Sequence, residues 1–510
     1  MRSPDSEGLP PLRQGGQPEA GTTGPPPGGG PPPRAYAPGY RQAQDGRARR
    51  PGEGRAPGAH RGRVRVPRPL IPHRLPSGRG ATEQPNAGDD EASAPLTLTF
   101  WLLVIATGVV TGLFGDLMMV VLHGTAHLVF GYSHGSFQAA AERATPARRV
   151  AGLAGGGLVT GVAWYLIRRF TPGEPSDLDE SLWQGTGWLS FRRSFASSVV
   201  SEVAVGSGAS LGREAAPKLM GAVAGSVLAR WRRLTPGQRR LLVACGGGAG
   251  MAAVYNVPLG GTLIAAELLY GSLSLPVILP ALACSWIATA TAWIYLPVQA
   301  TYTDVPAYHL HVSQIIFAVV VGPLIGLISV GYIRLIGWVS HHSISGWRVV
   351  VAPLGAFTVL GLVGLRYPQL FGNGKDMAHQ VFLGGGTLAL LFALFALKPL
   401  VTALCLGSGA TGGLFTPTMS TGAMLGGFLG LAWSLAWPGA AVGSYAIIGA
   451  TAMIGASMQA PLAALALMLE LTRTTDRIIV PMIAATVLAT MVARYLDGYS
   501  IYSARLKAER

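Results

Sequence analysis

Charged residues are scarce in this 510-residue chain: 12% of its residues are Asp, Glu, Lys or Arg, whereas 49% are apolar. From residue 96 onward the sequence is a series of apolar stretches that approach the roughly 20 residues needed to cross a hydrocarbon core. So many stretches exclude a soluble fold, because no soluble core could bury them all. The sequence predicts an all-α polytopic membrane protein, with apolar stretches at 96–122, 150–167, 241–269, 275–296, 313–339, 349–365, 386–406, 420–437, 445–469 and 477–495.

Cysteine is also rare, and the sequence predicts no secretory leader. Cys245, Cys284 and Cys405 lie in or beside apolar stretches, without the spacing of a metal site or of a disulfide framework. We interpret them as small buried residues, and we expect neither a metal nor a cofactor. The start of the chain has no run of about seven or more apolar residues, so no signal peptide is predicted.

Acidic residues are outnumbered by basic ones, which gives a formal net charge of +15. Such a charge could indicate a nucleic-acid partner, but the arginines are placed differently. Pairs of arginines stand at the ends of apolar stretches, at 148–149, 168–169, 192–193, 232–233 and 239–240. This placement is typical of the positive-inside bias of membrane proteins, so we expect no nucleic-acid partner.

Residues 1–94 have a composition unlike the rest of the chain. They are rich in Pro, Gly and Arg, as in "GPPPGGGPPPRAYAPGY", and contain almost no aliphatic clusters. Such a segment buries too little apolar surface to offset the entropy of ordering it. We predict a disordered cytoplasmic tail that is solvated, with contact to anionic lipid as the alternative. Residues 95–510 then form the transmembrane domain.

The membrane domain contains an internal repeat. "GSGAS" begins at Gly206 and "GSGAT" at Gly407, while "NVPLGGTLIAAEL" begins at Asn256 and "QAPLAALALMLEL" at Gln459. A weaker pair matches "TPGEP" at 171–175 with "GNGKD" at 372–376. Three matches in one order at nearly one offset predict two homologous halves, about 96–300 and 310–505.

Repeated halves with glycine- and proline-broken apolar segments are typical of transporters. Irregular backbone is tolerated at membrane depth only where protein or a watery cavity surrounds it. We therefore predict two inverted repeats with broken, re-entrant helices that meet at a binding site near the midplane.

The stretch "GSGASLGREAAP" indicates the chemistry of that site. We predict a glycine-rich loop that leads into a helix starting near Gly212, with Pro217 in its first turn, and the second half places Pro417 the same way. The first N–H groups of a helix have no partner within it and bind anions. Two such helix ends aimed at one point predict a substrate class of small anions.

Glu214 has a predicted role at this junction. A carboxylate at a positive helix end competes with an anion, so Glu214 would close the site when ionised and open it when protonated or displaced. The alternative is a structural glutamate paired with Lys218 one turn along. The second half has Leu414 or Phe415 at the matching place. A structural cap would be expected in both halves, which favours the gating role.

These residues resemble the CLC family of chloride channels and proton-coupled chloride transporters, and the resemblance covers essentially all of 96–510. "GREAAP" is similar to the family's gate motif, "GGLFTP" to its second anion motif and "GYSIYSARL" to its C-terminal segment. The resemblance implies a gating role for Glu214. It also implies an anion site built by Leu414 and Phe415, with Gly413 beside them and the Tyr502 hydroxyl completing it. An interfacial position is the alternative for Tyr502.

The family resemblance further implies an assembly and a location. We expect a homodimer in the cell membrane, with one pore in each subunit, lipid around it and both termini in the cytoplasm. The chain ends soon after Tyr502, so no C-terminal regulatory domain is expected. The substrate would be chloride or a similar small anion such as nitrate or bromide.

The sequence departs from the family pattern in three places. Ala215 and Ala216 replace the usual Gly-Pro after the gating glutamate, so the loop geometry could differ. Pro172, next to Gly173, replaces the serine of the first anion motif, and family members with proline there favour nitrate. The third departure concerns the Glu-Glu pair of proton-coupled members, which reads Glu267-Leu268 here.

Leucine carries no proton, so the last departure favours a channel or a loosely coupled transporter, with a chloride/proton antiporter as the alternative. If the chain moves protons, Glu267 is the carboxyl predicted to substitute for the missing second glutamate. The alternative is that Glu267 and Glu470 are matched structural carboxylates near helix ends.

A remote alternative function is that of an intramembrane serine hydrolase, because "GASLG" at 208–212 fits a nucleophile elbow around Ser210. That reading needs a histidine from among His123, His127, His341 and His342. We expect no enzymatic activity.

Overall fold

The computed structural model describes residues 96–183, 187–344 and 346–506, and the predicted tail over 1–94 lies outside these ranges. The regular elements of the described ranges are helices. The first half comprises α1 Leu98–Phe130, α2 Phe137–Arg143, α3 Pro146–Phe170, α4 Leu178–Trp183, α5 Phe191–Gly206, α6 Ala215–Trp231, α7 Pro236–Tyr255, α8 Pro258–Leu263, which continues as a π-helix over Ile264–Tyr270, and α9 Leu275–Ala292. The second comprises α10 Val312–His341, α11 Arg348–Val363, α12 Lys375–Phe382, α13 Leu388–Gly407, α14 Phe415–Ala436, α15 Val442–Met458, α16 Pro461–Thr472 and α17 Ile479–Leu496.

The two halves repeat the same order of helices, with α2 as the one addition in the first. The C-terminal ends of α7 and α15 illustrate the match: Asn256 and Gln459 both adopt the left-handed conformation, and a proline starts the next helix two residues later. The predicted apolar stretches 241–269 and 445–469 are therefore each two helices rather than one, because the left-handed residue and the proline break them.

Reciprocal contacts relate the halves by a local two-fold axis. Gly212 and Gly413 form an antiparallel pair in which each N–H donates to the other's carbonyl at 2.7 Å. Glu267 of the first half accepts hydrogen bonds from the start of α16, and Glu470 of the second accepts them from the start of α8. Exchanged contacts of this kind are the signature of a two-fold relation. The prediction of an all-α fold with inverted repeats is confirmed.

Seven described helices are long and apolar enough to cross a membrane: Leu98–Phe130, Pro146–Phe170, Leu275–Ala292, Val312–His341, Leu388–Gly407, Phe415–Ala436 and Asp476–Leu496. On α1, the side chains of Leu102, Ile105, Val109 and Leu113 are exposed at helical spacing and form one apolar stripe. A lipid tail solvates such a stripe and water does not. The remaining predicted stretches are shorter helices; α15, for example, is buried in protein along nearly its whole length.

Glycines bring the helices at the centre of each half close together. Gly221 of α6 faces Gly246 of α7, and a Cβ on either would overlap the other's backbone. The second half repeats the arrangement where Gly422 and Gly426 of α14 meet Gly449 of α15. Small residues at such crossings allow close backbone packing in membranes. This packing fixes the N-terminal ends of α6 and α14, where the predicted site lies.

The three cysteines are buried and free, as predicted. Cys245 lies on α7, Cys284 on α9 and Cys405 on α13. Each therefore acts as a small apolar residue in the helix packing.

Candidate anion site

The two glycine-rich loops turn the chain back on itself before α6 and α14. Gly208 and Gly409 hold equivalent positions with φ of 109° and 92°, which only glycine adopts without strain. Helix α6 begins at Ala215 with Glu214 as its N-cap, whereas the sequence predicted a start near Gly212. The start is later because the backbone N–H and carbonyl of Gly212 pair with Gly413.

Glu214 is 2% exposed, and its carboxylate lies at the start of the other half's helix. Its Oε1 accepts a hydrogen bond from the Phe415 N–H at 2.8 Å. Its Oε2 is 3.0 Å from the Tyr255 hydroxyl and 3.2 Å from the Thr416 hydroxyl. Because Phe415 is the first residue of α14, the carboxylate occupies the position where a helix N-terminus binds an anion.

Glu214 does not pair with Lys218, which was the alternative to its gating role. The Lys218 ammonium lies 3.8 Å from the Asp179 carboxylate instead. The Glu214 carboxylate is held from the second half, by Phe415 and Thr416, and by Tyr255 at the end of α7.

Glu214, Tyr255 and Thr416 form a triangle of oxygens that is short of one proton when Glu214 is ionised. The hydroxyls of Tyr255 and Thr416 are 2.6 Å apart, and each also contacts Glu214 Oε2. Two hydroxyl protons thus serve three contacts. A proton on Oε2 would supply the third, while Oε1 would keep its bond from Phe415. We call the position of this carboxylate, beside the Phe415 N–H, the anion seat. The seat accommodates both the ionised and the protonated carboxyl.

Glycine is required on both sides of the carboxylate. A Cβ on Gly212 or on Gly413 would overlap the carboxyl group of Glu214. The glycine pair therefore has two functions, because it joins the halves and leaves room for a carboxylate or an anion of similar size.

One cavity, of about 340 Å³, lies on one side of this seat, and we call it the arginine cavity. Arg213, His123 and Lys375 line it, and Asp376 lies beside them. The Arg213 guanidinium packs over the Tyr255 ring, 4.8 Å from its centroid. Burial is the main cause that lowers the pKa of Lys375 to about 8, with the charge of Arg213 adding to it. The cavity is thus positively charged at neutral pH and attracts anions.

A second cavity, of about 170 Å³, lies on the other side, and we call it the tyrosine cavity. Glu214, Leu414 and Tyr502 line it together. The Lys218 ammonium lies over the Tyr502 ring at 4.3 Å from the centroid, and its ion pair with Asp179 lies in the same cavity. The structure thus brings the predicted residues Gly413, Leu414 and Tyr502 to one cavity, while Phe415 presents its N–H at the seat.

Glu214 and the residue before it in the chain line different cavities. Its neighbour Arg213 lines the arginine cavity, whereas Glu214 itself lines the tyrosine cavity. Displacing the carboxylate would free the Phe415 N–H beside the tyrosine cavity, with the arginine cavity adjoining at Arg213. The arrangement can bind a small anion in place of the carboxylate.

The structure does not bring Pro172 and Gly173 to this site. Both are exposed, and the part of this segment that lines the tyrosine cavity is 176–179. The weak repeat at 171–175 was misaligned, because α4 begins at Leu178 and its counterpart α12 at Lys375, which gives a shorter offset than the other pairs. Pro172 lies two residues after the end of α3, whereas Ser176 is the first residue of this segment to line the cavity.

Glu267 lies away from both cavities, at the contact between the halves. Its oxygens accept hydrogen bonds from the N–H groups of Leu462 and Ala463, at 3.3 and 2.7 Å. Glu470 accepts the equivalent bonds from Leu259 and Gly260. These contacts are those of helix N-caps supplied across the repeat. Leu268, at the position of the missing glutamate, is 5% exposed.

Ser210 is not set up as a nucleophile. Its hydroxyl is buried and lies 3.1 Å from the Thr402 hydroxyl. The histidines that a hydrolase would need have other contacts: His123 with Tyr295, His127 with Tyr132, His341 with the Ala504 carbonyl and His342 with the Trp338 carbonyl. A serine–histidine pair is therefore missing from the described part of this loop.

Sequence reasoning missed three side chains at the site. Tyr255 ends α7, directly before the repeated "NVPLGG" motif, but nothing in its spacing indicates that its hydroxyl reaches Glu214. Thr416 follows Phe415 in the second motif, and the sequence does not distinguish it from the other hydroxyl residues of α14. Lys218 was noticed only as a partner for Glu214, whereas it contacts Asp179 and Tyr502.

Most of the membrane domain is similar to known proteins. The family model described as voltage gated chloride channel matches residues 155–494. The voltage-gated ClC-type chloride channel ClcB of Citrobacter koseri is 32% identical over 385 residues, which is 72% of this chain and 89% of that relative. The protein of the same name from Escherichia coli is 31% identical over 382 residues, again 72% and 89%.

Solved structures share the fold. A slow cyanobacterial Cl−/H+ antiporter superposes with a TM-score of 0.69 at 22% identity, covering 80% of this chain and 97% of that one. A CLC-type fluoride/proton antiporter gives a TM-score of 0.65 at 19% identity, with the same coverage. With two inverted halves, a carboxylate seated between them and a family model that spans most of the membrane domain, this chain belongs to the voltage-gated chloride channel family.

Proposed function

We propose that this chain carries chloride, or a similar small anion such as bromide or nitrate, across the cell membrane along a path that Glu214 closes. The observation that carries the proposal is the bond of 2.8 Å from the Phe415 N–H to the Glu214 carboxylate. The carboxylate is a tethered anion in the seat. A mobile anion that displaces it finds the same N–H group, the same glycine pair and a cavity on either side.

The proposal covers a channel or a loosely coupled transporter, with a chloride/proton antiporter as the second candidate. The curated relatives carry the name of chloride channels, whereas the solved structures carry those of proton antiporters. Leu268 supports the first reading because it offers no proton. The triangle of Glu214, Tyr255 and Thr416 supports the second, because it has room for a proton on the gate.

The orientation follows from the arginines. The start of α5 and the end of α6 lie together, since the Ser226 hydroxyl bonds to both Gly187 and Leu189. Arg192–Arg193 and Arg230–Arg233 are therefore at one end of the molecule. That end is also the end at which α5 lines the tyrosine cavity. From the positive-inside rule we propose that the tyrosine cavity opens to the cytoplasm, and from the family resemblance that both termini lie on that side.

The family resemblance also suggests two copies, each with its own path. The equivalent helices α9 and α17 expose large apolar side chains, including Trp286 and Met491. We propose that this surface is shared between a second copy and lipid. Size-exclusion chromatography with light scattering of the detergent-solubilised chain tests the dimer.

Flux from liposomes tests the transport function. Vesicles containing the purified chain would be loaded with chloride, bromide or nitrate, and efflux followed with an ion-selective electrode after valinomycin is added to balance charge. We expect anion efflux well above that of protein-free vesicles, and faster efflux for Glu214→Ala. Vesicles that release none of the three anions above the protein-free rate would contradict the proposal.

A further inference from the structure

Helix α5 connects the two cavities. Ser198 lines the tyrosine cavity, and Gly206, two turns further along, lines the arginine cavity. Glu202 lies between them at the four-residue spacing that keeps side chains on one helix face. At a rise of about 1.5 Å per residue, Glu202 is about 6 Å along the axis from each. On α5 it therefore lies between the levels of the two cavities.

The Glu202 side chain is fully buried and has no partner among the described residues. Its exposed fraction is 0%, and neither carboxyl oxygen accepts or donates a hydrogen bond. A bare carboxylate in such a place would cost several kcal/mol of desolvation. A protonated carboxyl costs far less, so Glu202 holds a proton in this conformation. Across the described residues, no structural contact accounts for its carboxyl.

The charged groups that act most on the Glu202 carboxyl are Arg213 and Glu214, which directly precede α6. Of the helices packed against α5, α1 carries Asp116 and His123 and α6 carries Lys218. These groups act less on Glu202 than Arg213 and Glu214 do. Ionised Glu214 favours a proton on Glu202, and Arg213 offsets the charge that appears when the proton leaves. The protonation states of Glu202 and Glu214 are thus linked.

We propose that Glu202 is a proton-holding site that exchanges a proton with Glu214 and is refilled from the tyrosine cavity. In this step the O–H bond of Glu202 breaks and an O–H bond forms on Glu214, either directly or through a water. Glu202 then takes a proton from water in the tyrosine cavity. The inference rests on the proposed function, and it gives the chain a proton donor that Leu268 lacks.

The test measures the protons moved for each chloride. Vesicles with high internal and low external chloride, at equal pH on both sides, would be opened with valinomycin while external chloride and pH are recorded together. In wild type we expect external alkalinisation as chloride leaves. Since a positioned proton-transfer group contributes about a hundredfold or more to rate, Glu202→Gln should reduce proton movement per chloride by about that factor.

Two further variants keep the result interpretable. Glu267→Gln is the matched control, because Glu267 is a partly buried glutamate of the same half whose oxygens are bonded to backbone N–H groups. It should keep the wild-type proton-to-chloride ratio. Glu202→Leu removes the carboxyl without leaving any donor unpaired, so it should fold and lose proton movement as Glu202→Gln does.

The outcomes separate the two proposals. Wild-type vesicles without anion efflux would contradict the proposed function itself. Chloride efflux without proton movement in wild type, or an unchanged proton-to-chloride ratio in both Glu202 variants, would overturn the role of Glu202 and leave anion transport standing. Loss of proton movement in Glu267→Gln but not in the Glu202 variants would assign the proton path to Glu267 instead.

Discussion

The variant Glu214→Ala removes the tethered carboxylate from the anion seat. In the wild type the Phe415 N–H is bonded to Glu214 Oε1 at 2.8 Å, so a mobile anion must break that bond before it can use the same donor. In the variant the donor is free. We therefore expect the variant to bind chloride more tightly and to conduct it faster.

The size of the effect follows from the bond that is lost. A hydrogen bond to a charged group contributes about 1.5–3 kcal/mol net. If about 2 kcal/mol of that no longer opposes the anion, its apparent affinity rises about thirtyfold, since each 1.4 kcal/mol is a factor of ten. Tyr255 and Thr416 lose the same partner, and their hydroxyls stay paired with each other at 2.6 Å.

Isothermal titration calorimetry with chloride measures the affinity directly. Glu180→Ala is the control, because Glu180 is an exposed glutamate on α4 and its loss changes the net charge equally. The control should bind chloride as wild type does. The reasoning is refuted if Glu214→Ala binds chloride no better than Glu180→Ala, because the carboxylate then does not compete for the seat.

Further predictions concern the glycine pair, the helix N-caps that Glu267 and Glu470 supply across the two halves, and the arginine cavity. Gly413→Ala places a Cβ where the carboxylate or an anion must lie, so chloride efflux from liposomes should fall. Glu267→Gln and Glu470→Gln each weaken a cap across the halves, and each should lower the free energy of unfolding by about 1–2 kcal/mol in denaturant titrations. Lys375 is charged below its pKa of about 8. Raising the pH through 8 on that side should therefore slow anion uptake, and Lys375→Arg should remove this dependence, as stopped-flow flux measurements would show.

The repeat in the sequence predicted most of the fold. The offset between Gly206 and Gly407, and that between Asn256 and Gln459, placed equivalent helix ends in the two halves, and the structure has them there. The weak third match failed, because the loops before α4 and α12 differ in length and no apolar pattern marks their register. The family's first anion motif implied a place for Pro172 and Gly173 at the site, whereas the structure leaves both exposed.

The site was predictable only in part, because its contacts cross between the halves. Glu214 stood out as a charged residue in an apolar region, and a local sequence pattern suffices for that. Its bonds to Phe415 and Tyr255 depend on how α6, α7 and α14 pack, which spacing along the chain does not encode. Glu202 drew no attention, since a single glutamate in a serine-rich helix resembles an exposed residue until its burial is known.

Anomalous diffraction from bromide tests the central claim most directly. Crystals of the wild type and of Glu214→Ala would be grown in bromide, and the peaks located relative to the Phe415 N–H. The account predicts a bromide within hydrogen-bond distance of that N–H in the variant, at the position that the carboxylate occupies in the wild type. A variant whose seat stays empty, with bromide only in the two cavities, would contradict it.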